Sequence, residues 1–328
     1  MKARPILRSD IRAARRKDRI SIAAPSDFVR DATREVSVAE SRATPLLPYC
    51  LDFVRRRALY VGGVDPRGAQ EAPFYYLHLR RTARTVFSVP WECGAVRGTT
   101  ARSPVFMFSP GRCGSTLLSH ILFEAGIANV SEPDFYTQAT SQVAASALNP
   151  FRSAMRTTLL SMGHDLCDAL SKSGPTVAKL RAESCRAPEL LLAASERRTV
   201  FMTRGFEDWV RSTGRAFRNG PRKMVRKYLT ALSGHDYLRQ NSDCHLVRYE
   251  ELIADPSATV EKLAHFLQAA ITPEAVAAAM KKDSQEGTPL AQGTRGDAPG
   301  WEERLEKTLA LWNSDRVKRL RSRFDAAE

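Results

Sequence analysis

Val105-Phe106-Met107-Phe108 runs into Ser109-Pro110-Gly111-Arg112-Cys113-Gly114-Ser115-Thr116 and then into Leu117-Leu118-Ser119-His120-Ile121-Leu122. An apolar strand, a tight glycine turn and an amphipathic helix start, in that order, make an anion cradle. Unpaired N–H groups and the positive end of the helix dipole converge there on one point. Ser115 and Thr116 add hydroxyl donors, and Arg112 adds a fixed, forked cation. A turn that only joined strand to helix would need neither. The loop has Arg112 where a nucleoside-triphosphate loop has Gly, and it lacks the Gly-Lys-Ser/Thr ending. A phosphate-like anion is expected here, without metal-assisted ATP hydrolysis.

Outward from this loop, short apolar strands alternate with helical periodicity. Strands are expected at 104–109, Thr176–Leu180, Thr199–Thr203 and His245–Tyr249. Leu117, Leu118, Ile121 and Leu122 share one helix face, and Gly126 stops that helix. Residues 154–172 are amphipathic through Leu159, Met162 and Leu166. After Asp255-Pro256, Val260, Leu263, Ala264 and Leu267 recur at helical spacing. Strands separated by helices imply right-handed crossovers and a P-loop-type three-layer α/β/α fold with a mainly parallel sheet. Sites in such sheets lie beyond the carboxyl ends of the strands, where both the glycine loop and Arg204 fall.

The rest of the chain is read in two pieces ahead of a domain at 101–328. Residues 1–45 read as a basic, flexible arm, with a short helix near Ile11–Arg19. Residues 46–100 read as a small β-rich N-terminal extension, in which Phe74–Leu79 and Thr85–Val89 are expected as strands of a hairpin or two edge strands. Gly287–Gly300, with four Gly and two Pro, reads as a loop.

The 328 residues carry 50 Lys+Arg against 36 Asp+Glu, a formal net charge of +14, so an anionic ligand is favoured by the summed field. Ten Lys/Arg and four Asp lie in the first 34 residues. Six cysteines are scattered without a CxxC pair, which argues against zinc and against a disulfide framework. The basic N-terminus has no apolar core of a secretory signal, and no run of about 18 apolar residues is present. A cytoplasmic location without a transmembrane segment is expected.

Two further stretches bear on the chemistry. Arg198–Thr203 reads as a strand that ends at Arg204. Ser212 follows eight residues later, about two turns into the next helix, so guanidinium and hydroxyl can close on one phosphate. Leu246-Val247-Arg248-Tyr249-Glu250-Glu251-Leu252 reads as a buried strand ending in a polar turn before a capped helix.

In this order the stretches resemble the sulfotransferase family that uses 3′-phosphoadenosine-5′-phosphosulfate (PAPS), in its bacterial and carbohydrate-directed branch. Arg112-Cys113-Gly114-Ser115-Thr116 is similar to that family's Arg-Ser-Gly-Ser-Thr loop, Arg204 and Ser212 to its 3′-phosphate motif, and Tyr249-Glu250-Glu251-Leu252 to its Tyr-Glu-Asp-Leu stretch. The likeness covers roughly residues 104–270. It implies that Gly111, Arg112, Cys113, Gly114, Ser115 and Thr116 hold the 5′-phosphosulfate, Arg204 and Ser212 the 3′-phosphate, and Tyr249 the adenosine. Arg295-Gly296 is a partial match to the family's late Arg-Lys-Gly loop. Cys113 replaces a Ser, and Gly205 replaces a common Asp.

Sulfuryl transfer resembles phosphoryl transfer in layout, an in-line displacement with a loose transition state. Arg112 and the loop amides are placed to stabilise charge on the bridging oxygen. No metal is required. The acceptor hydroxyl needs a general base. Glu132, in Val130-Ser131-Glu132-Pro133, resembles the Glu-Pro of related carbohydrate sulfotransferases; His120, one turn from Thr116, competes for the role, and Lys179 ends a strand nearby. The acceptor is expected to be a small molecule, carbohydrate or lipid, with no nucleic acid. A nucleotide kinase of the same fold and a non-catalytic nucleotide-binding module are the alternatives.

Overall fold

The computed structural model describes residues 4–15, 20–93, 102–145, 152–171, 173–194, 197–282 and 300–325. The N-terminal part carries strands β1 (Ile6–Ala14), β2 (Phe28–Arg30), β3 (Arg34–Val36), β4 (Leu46–Asp52), β5 (Arg57–Gly62) and β6 (Thr85–Pro90). They form one antiparallel sheet in the order β2-β1-β6-β5-β4, with β3 paired to β1.

Strand β1, from the piece read as an arm, pairs with β6 of the piece read as an extension. Ile11 lies inside β1, opposite Arg30 of β2, where a helix is expected from the sequence. β1 is polar because most of its residues are only partly covered, so its charge looks like that of a solvated tail. Phe74–Leu79 is also not a strand. Tyr75–Thr82 is a helix buried on nearly every side, with the Tyr75 hydroxyl donating to Pro48 O and the Arg80 guanidinium paired with Asp27 at 3.1 Å. Tertiary burial overrides the β-preference of its aromatics. Thr85–Val89 is a strand as expected, and pairs with β5 and β1.

The second sheet is parallel. Its strands are β7 (Val105–Phe108), β8 (Ala128–Ser131), β9 (Thr176–Lys179), β10 (Arg198–Thr203) and β11 (Asp243–Arg248), in the order β11-β10-β7-β9-β8. The four expected strands of this region match, and β8 completes them. Alternation along β7 feeds two cores. Phe106 and Phe108 join Leu159, Met162 and Leu166 of the helix Arg152–Leu170. Val105 and Met107 join Leu118 and Ile121 of the loop helix, Ser115–Glu124, and Leu263 of the helix Pro256–Leu267. Helices thus cover both faces, the three-layer α/β/α arrangement. The loop helix stops at Gly126, whose φ is +73°, and Asp255 caps its helix by accepting from Ala258 N at 3.0 Å.

Trp301 and Trp312 pack the C-terminal helix Trp301–Trp312 onto Phe206, Trp209 and Tyr228. A Cβ built on Gly214 would sit 1.8 Å from the Trp301 ring. Gly214→Ala would gain about 1 kcal/mol of helix propensity. It must nevertheless displace the whole indole, and overpacking of this kind costs about 1–3 kcal/mol. We expect a thermal melt lowered by several degrees; a melt at or above that of the wild type would contradict this packing. Most of the Gly287–Gly300 stretch, including Arg295 and Gly296, lies outside the described residues.

Candidate functional site

β7 and β10 are hydrogen-bonded neighbours, so the glycine loop and Arg204 leave adjacent strand ends on the same edge. The loop reverses through Gly111 (φ +74°), Arg112 (φ +57°) and Gly114 (φ +84°) before Ser115 opens the helix. Arg112 is a non-glycine residue in the left-handed region, a strained conformation that clusters at binding sites. The turn is braced from within by Gly111 N donating to Ser109 Oγ at 3.2 Å, and from outside by Trp209 Nε1 donating to Gly111 O at 2.6 Å. Cys113 is fully buried, and burial pushes its thiol up, so it is a poor nucleophile.

Arg204 lies over the Tyr249 ring, 4.4 Å from guanidinium to centroid. That ring in turn packs against Gly114, where an added Cβ would meet it at 2.4 Å. Arg204, Tyr249 and the glycine loop therefore form one stack. Arg204 Nε is buried with no hydrogen-bond partner among the described residues. The backbone beneath is pinned by Tyr228 Oη donating to Arg204 O at 2.5 Å and by Gly205 N donating to Glu250 Oε1 at 2.9 Å. Ser212 is half-buried on the helix Phe206–Ala216 that Arg204 precedes.

A cleft of about 760 Å³ opens on the other side of the loop, lined by Arg112, Ser115, Thr116, Glu132 and Lys179 among others. Lys179 ends β9 and is almost fully buried; its Nζ lies 3.0 Å from Glu132 Oε1 and 3.5 Å from Thr116 Oγ1. Glu132 is the second strained residue here, with φ +64°. Its backbone is held by an N–H donated to Lys179 O at 2.7 Å. Burial acts to raise the Glu132 carboxyl, but Lys179 and Arg181, the latter at 3.4 Å, outweigh it and hold the group below its ordinary value.

Arg181 also donates to both oxygens of Asp134, at 2.6 and 3.2 Å. Burial pushes the Asp134 carboxyl up to about 6, against the pull of that cation. Asp134 accepts Ala23 N at 2.7 Å, and the Arg181 guanidinium lies 4.3 Å over the Tyr76 ring. Phe74 and Ile20 line the cleft itself. The N-terminal sheet unit thus walls the site, which no local pattern in the sequence suggests. Arg181 and Asp134 also escape a sequence reading, although each stands two residues after a residue singled out there, Lys179 and Glu132.

His120 does not line the cleft. Its imidazole is half-buried among the charges of Lys282, Glu124 and Glu71, and burial lowers its basicity. Among the described residues no group of three or more His, Cys, Asp and Glu could hold a metal ion, and no helix is long and apolar enough to cross a membrane. The cations around the cleft outnumber its acids, Glu132 and Glu183, so its field favours an anionic ligand.

The family model for the sulfotransferase domain matches residues 219–288, a stretch that carries Tyr249 but not the glycine loop or Arg204. Over that stretch the chain is similar to the sulfotransferase domain family. Among solved structures it is similar to the sulfotransferase domain from the curacin biosynthetic pathway, at 14% identity and a TM-score of 0.42 over 68% of this chain and 98% of that one. It is also similar to sulfotransferase STF9 from Mycobacterium avium, at 10% identity and a TM-score of 0.43 over 69% and 76%. A third resemblance is to mouse sulfotransferase SULT7A1 complexed with PAP, at 10% identity and a TM-score of 0.38 over 67% and 88%. No curated protein matches the sequence.

Proposed function

We propose that this chain is a sulfotransferase, moving a sulfuryl group from PAPS to a hydroxyl of an acceptor in the Glu132–Lys179 cleft. The observation that carries this reading is the stack of Arg204 on Tyr249 on Gly114, which joins two anion positions at neighbouring strand ends. A ligand with phosphates at both ends of one nucleoside needs such a pair. The buried, unpartnered Arg204 Nε fits a 3′-phosphate oxygen, and the loop amides with Ser115 and Thr116 fit the 5′ end.

When bound, PAPS supplies an activated sulfuryl group on a nucleotide leaving group. One S–O bond, to the nucleotide, breaks as another, to the acceptor oxygen, forms. In this scheme Arg112 and the loop amides hold the oxygens on which negative charge grows. Lys179, fixed between Thr116 and Glu132, sits where it can hold a sulfuryl oxygen. The Glu132 carboxylate takes the acceptor's proton; His120 does not line the cleft and is given no such part.

Calorimetry with 3′,5′-adenosine bisphosphate tests the nucleotide half. Wild type should bind, and Arg204→Ala should bind at least tenfold more weakly, since a charge-assisted hydrogen bond and a stacked cation are lost together. No binding by wild type, or equal affinity in the variant, would sink the assignment. Preferential binding of ATP with Mg²⁺ would point to a kinase instead.

A further inference from the structure

Two cavities border the long helix Pro221–Asn241. One is the cleft already described. The other, about 540 Å³, is bordered by that helix, by the turn after β9 and by the C-terminal helices, including Asp315–Asp325. Arg186, Arg226 and Thr230 line both, so the two spaces are adjacent along the helix.

The second cavity is lined by four arginines, Arg186, Arg222, Arg226 and Arg316, and by no acidic side chain. All four are exposed, and none has an acidic partner among the described residues. The long helix adds an oddity of its own. Arg222 and Arg226, and beside them Lys223 and Lys227, stand one turn apart, and like charges at that spacing repel. An anion lying along the helix would relieve this repulsion. The floor is apolar, formed by Val225, Leu229 and Val317.

We infer that this cavity holds the far end of the acceptor, and that the acceptor is a hydroxyl-rich chain carrying repeated carboxylates, an acidic oligosaccharide in its chemistry. The inference rests on the proposed sulfuryl transfer only for the need of a hydroxyl at Glu132. Arg222 and Thr230 are eight residues apart, roughly 12 Å along the helix at 1.5 Å per residue, longer than one sugar ring. Arginine forks suit carboxylates, and an apolar floor suits the C–H faces of sugar rings. A nucleic acid fits less well, because no aromatic ring lines the cavity for bases to stack on.

The test uses an oligogalacturonide pentamer and its uncharged methyl ester, titrated by calorimetry into the full chain. The acid should bind wild type at least tenfold more tightly than the ester. In the double variant Arg222→Glu/Arg316→Glu that preference should vanish, while the melting temperature and the affinity for 3′,5′-adenosine bisphosphate stay unchanged. Equal binding of acid and ester by wild type overturns the inference, and so does a preference retained in the double variant. Tighter binding of a mixed-sequence single-stranded decanucleotide also overturns it, by assigning the cavity to nucleic acid. If the bisphosphate fails to bind while the acid preference and its loss both hold, the nucleotide reading falls and the anionic-chain site stands.

Discussion

Glu132→Gln should lower the rate of sulfate transfer by roughly 10²–10⁴-fold, the usual worth of a positioned general base. Affinity for 3′,5′-adenosine bisphosphate should change little, because Glu132 lines the cleft, which Arg204 and Tyr249 do not. The carboxylate is held ionised: burial would raise it, but Lys179 at 3.0 Å and Arg181 at 3.4 Å keep it below the ordinary carboxyl value. Its charge, and the stability that charge contributes, are therefore complete above about pH 4.5 and are lost only as pH falls through the lowered value. In wild type the acid limb of the rate profile should lie below pH 4.5, and in Glu132→Gln it should be gone. The substitution also leaves two buried cations short of a partner, which by itself destabilises a fold. Melting temperature and nucleotide affinity must be measured beside the rate. Full activity in the variant would move the base elsewhere. A loss of rate matched by an equal loss of nucleotide affinity would mark Glu132 as a structural residue.

The second large effect is expected at Gly114. Its φ of +84° costs an alanine about 1–2 kcal/mol. The new Cβ would also stand 2.4 Å from Tyr249 Cδ2 and 3.1 Å from Met202 Cε. Met202 is fully buried in the core and has little room to move. The tyrosine ring must therefore swing, and Arg204, stacked on it, loses its support. Gly114→Ala should weaken binding of 3′,5′-adenosine bisphosphate about 100-fold or more by calorimetry. Gly126→Ala is the control: the same residue type at φ +73°, with nothing within 4 Å of its Cβ. It should cost stability alone and leave nucleotide affinity as it was. Equal affinity in the two variants would mean that the ring, the guanidinium and the loop are not coupled.

Much of the parallel sheet is legible in the sequence because each strand is a short apolar run closed by a turn signal, which is local information. The glycine loop is legible for the same reason: its conformation follows from residues within a few positions. Of the N-terminal sheet, Thr85–Val89 is legible and β1–β3 are not. Those first strands are half-covered and charged, and the aromatic run at Phe74–Leu79 becomes a helix where Pro48, Asp27 and Tyr49 surround it from other parts of the chain. The site divides along the same line. Arg112, Glu132, Arg204 and Tyr249 stand in motifs that can be read, and three of them contact one another or the loop through neighbouring strand ends. Arg181 and Asp134 matter through pairing across 47 positions, and that separation leaves no periodic trace. His120 illustrates the opposite failure. Helical spacing puts it one turn from Thr116, but spacing alone does not say that it stays out of the lining of the cleft.

Ala23 donates to Asp134, Asp134 grips Arg181, and Arg181 faces Glu132. The Glu132 carboxylate is thus buttressed, at third hand, by a backbone amide that belongs to the N-terminal part of the chain. A fragment beginning at residue 101 would keep every motif residue and still lose this tether, together with the Phe74 wall. Replacing the leading sheet should accordingly change how Glu132 is held without altering the glycine loop or the turn at Arg204.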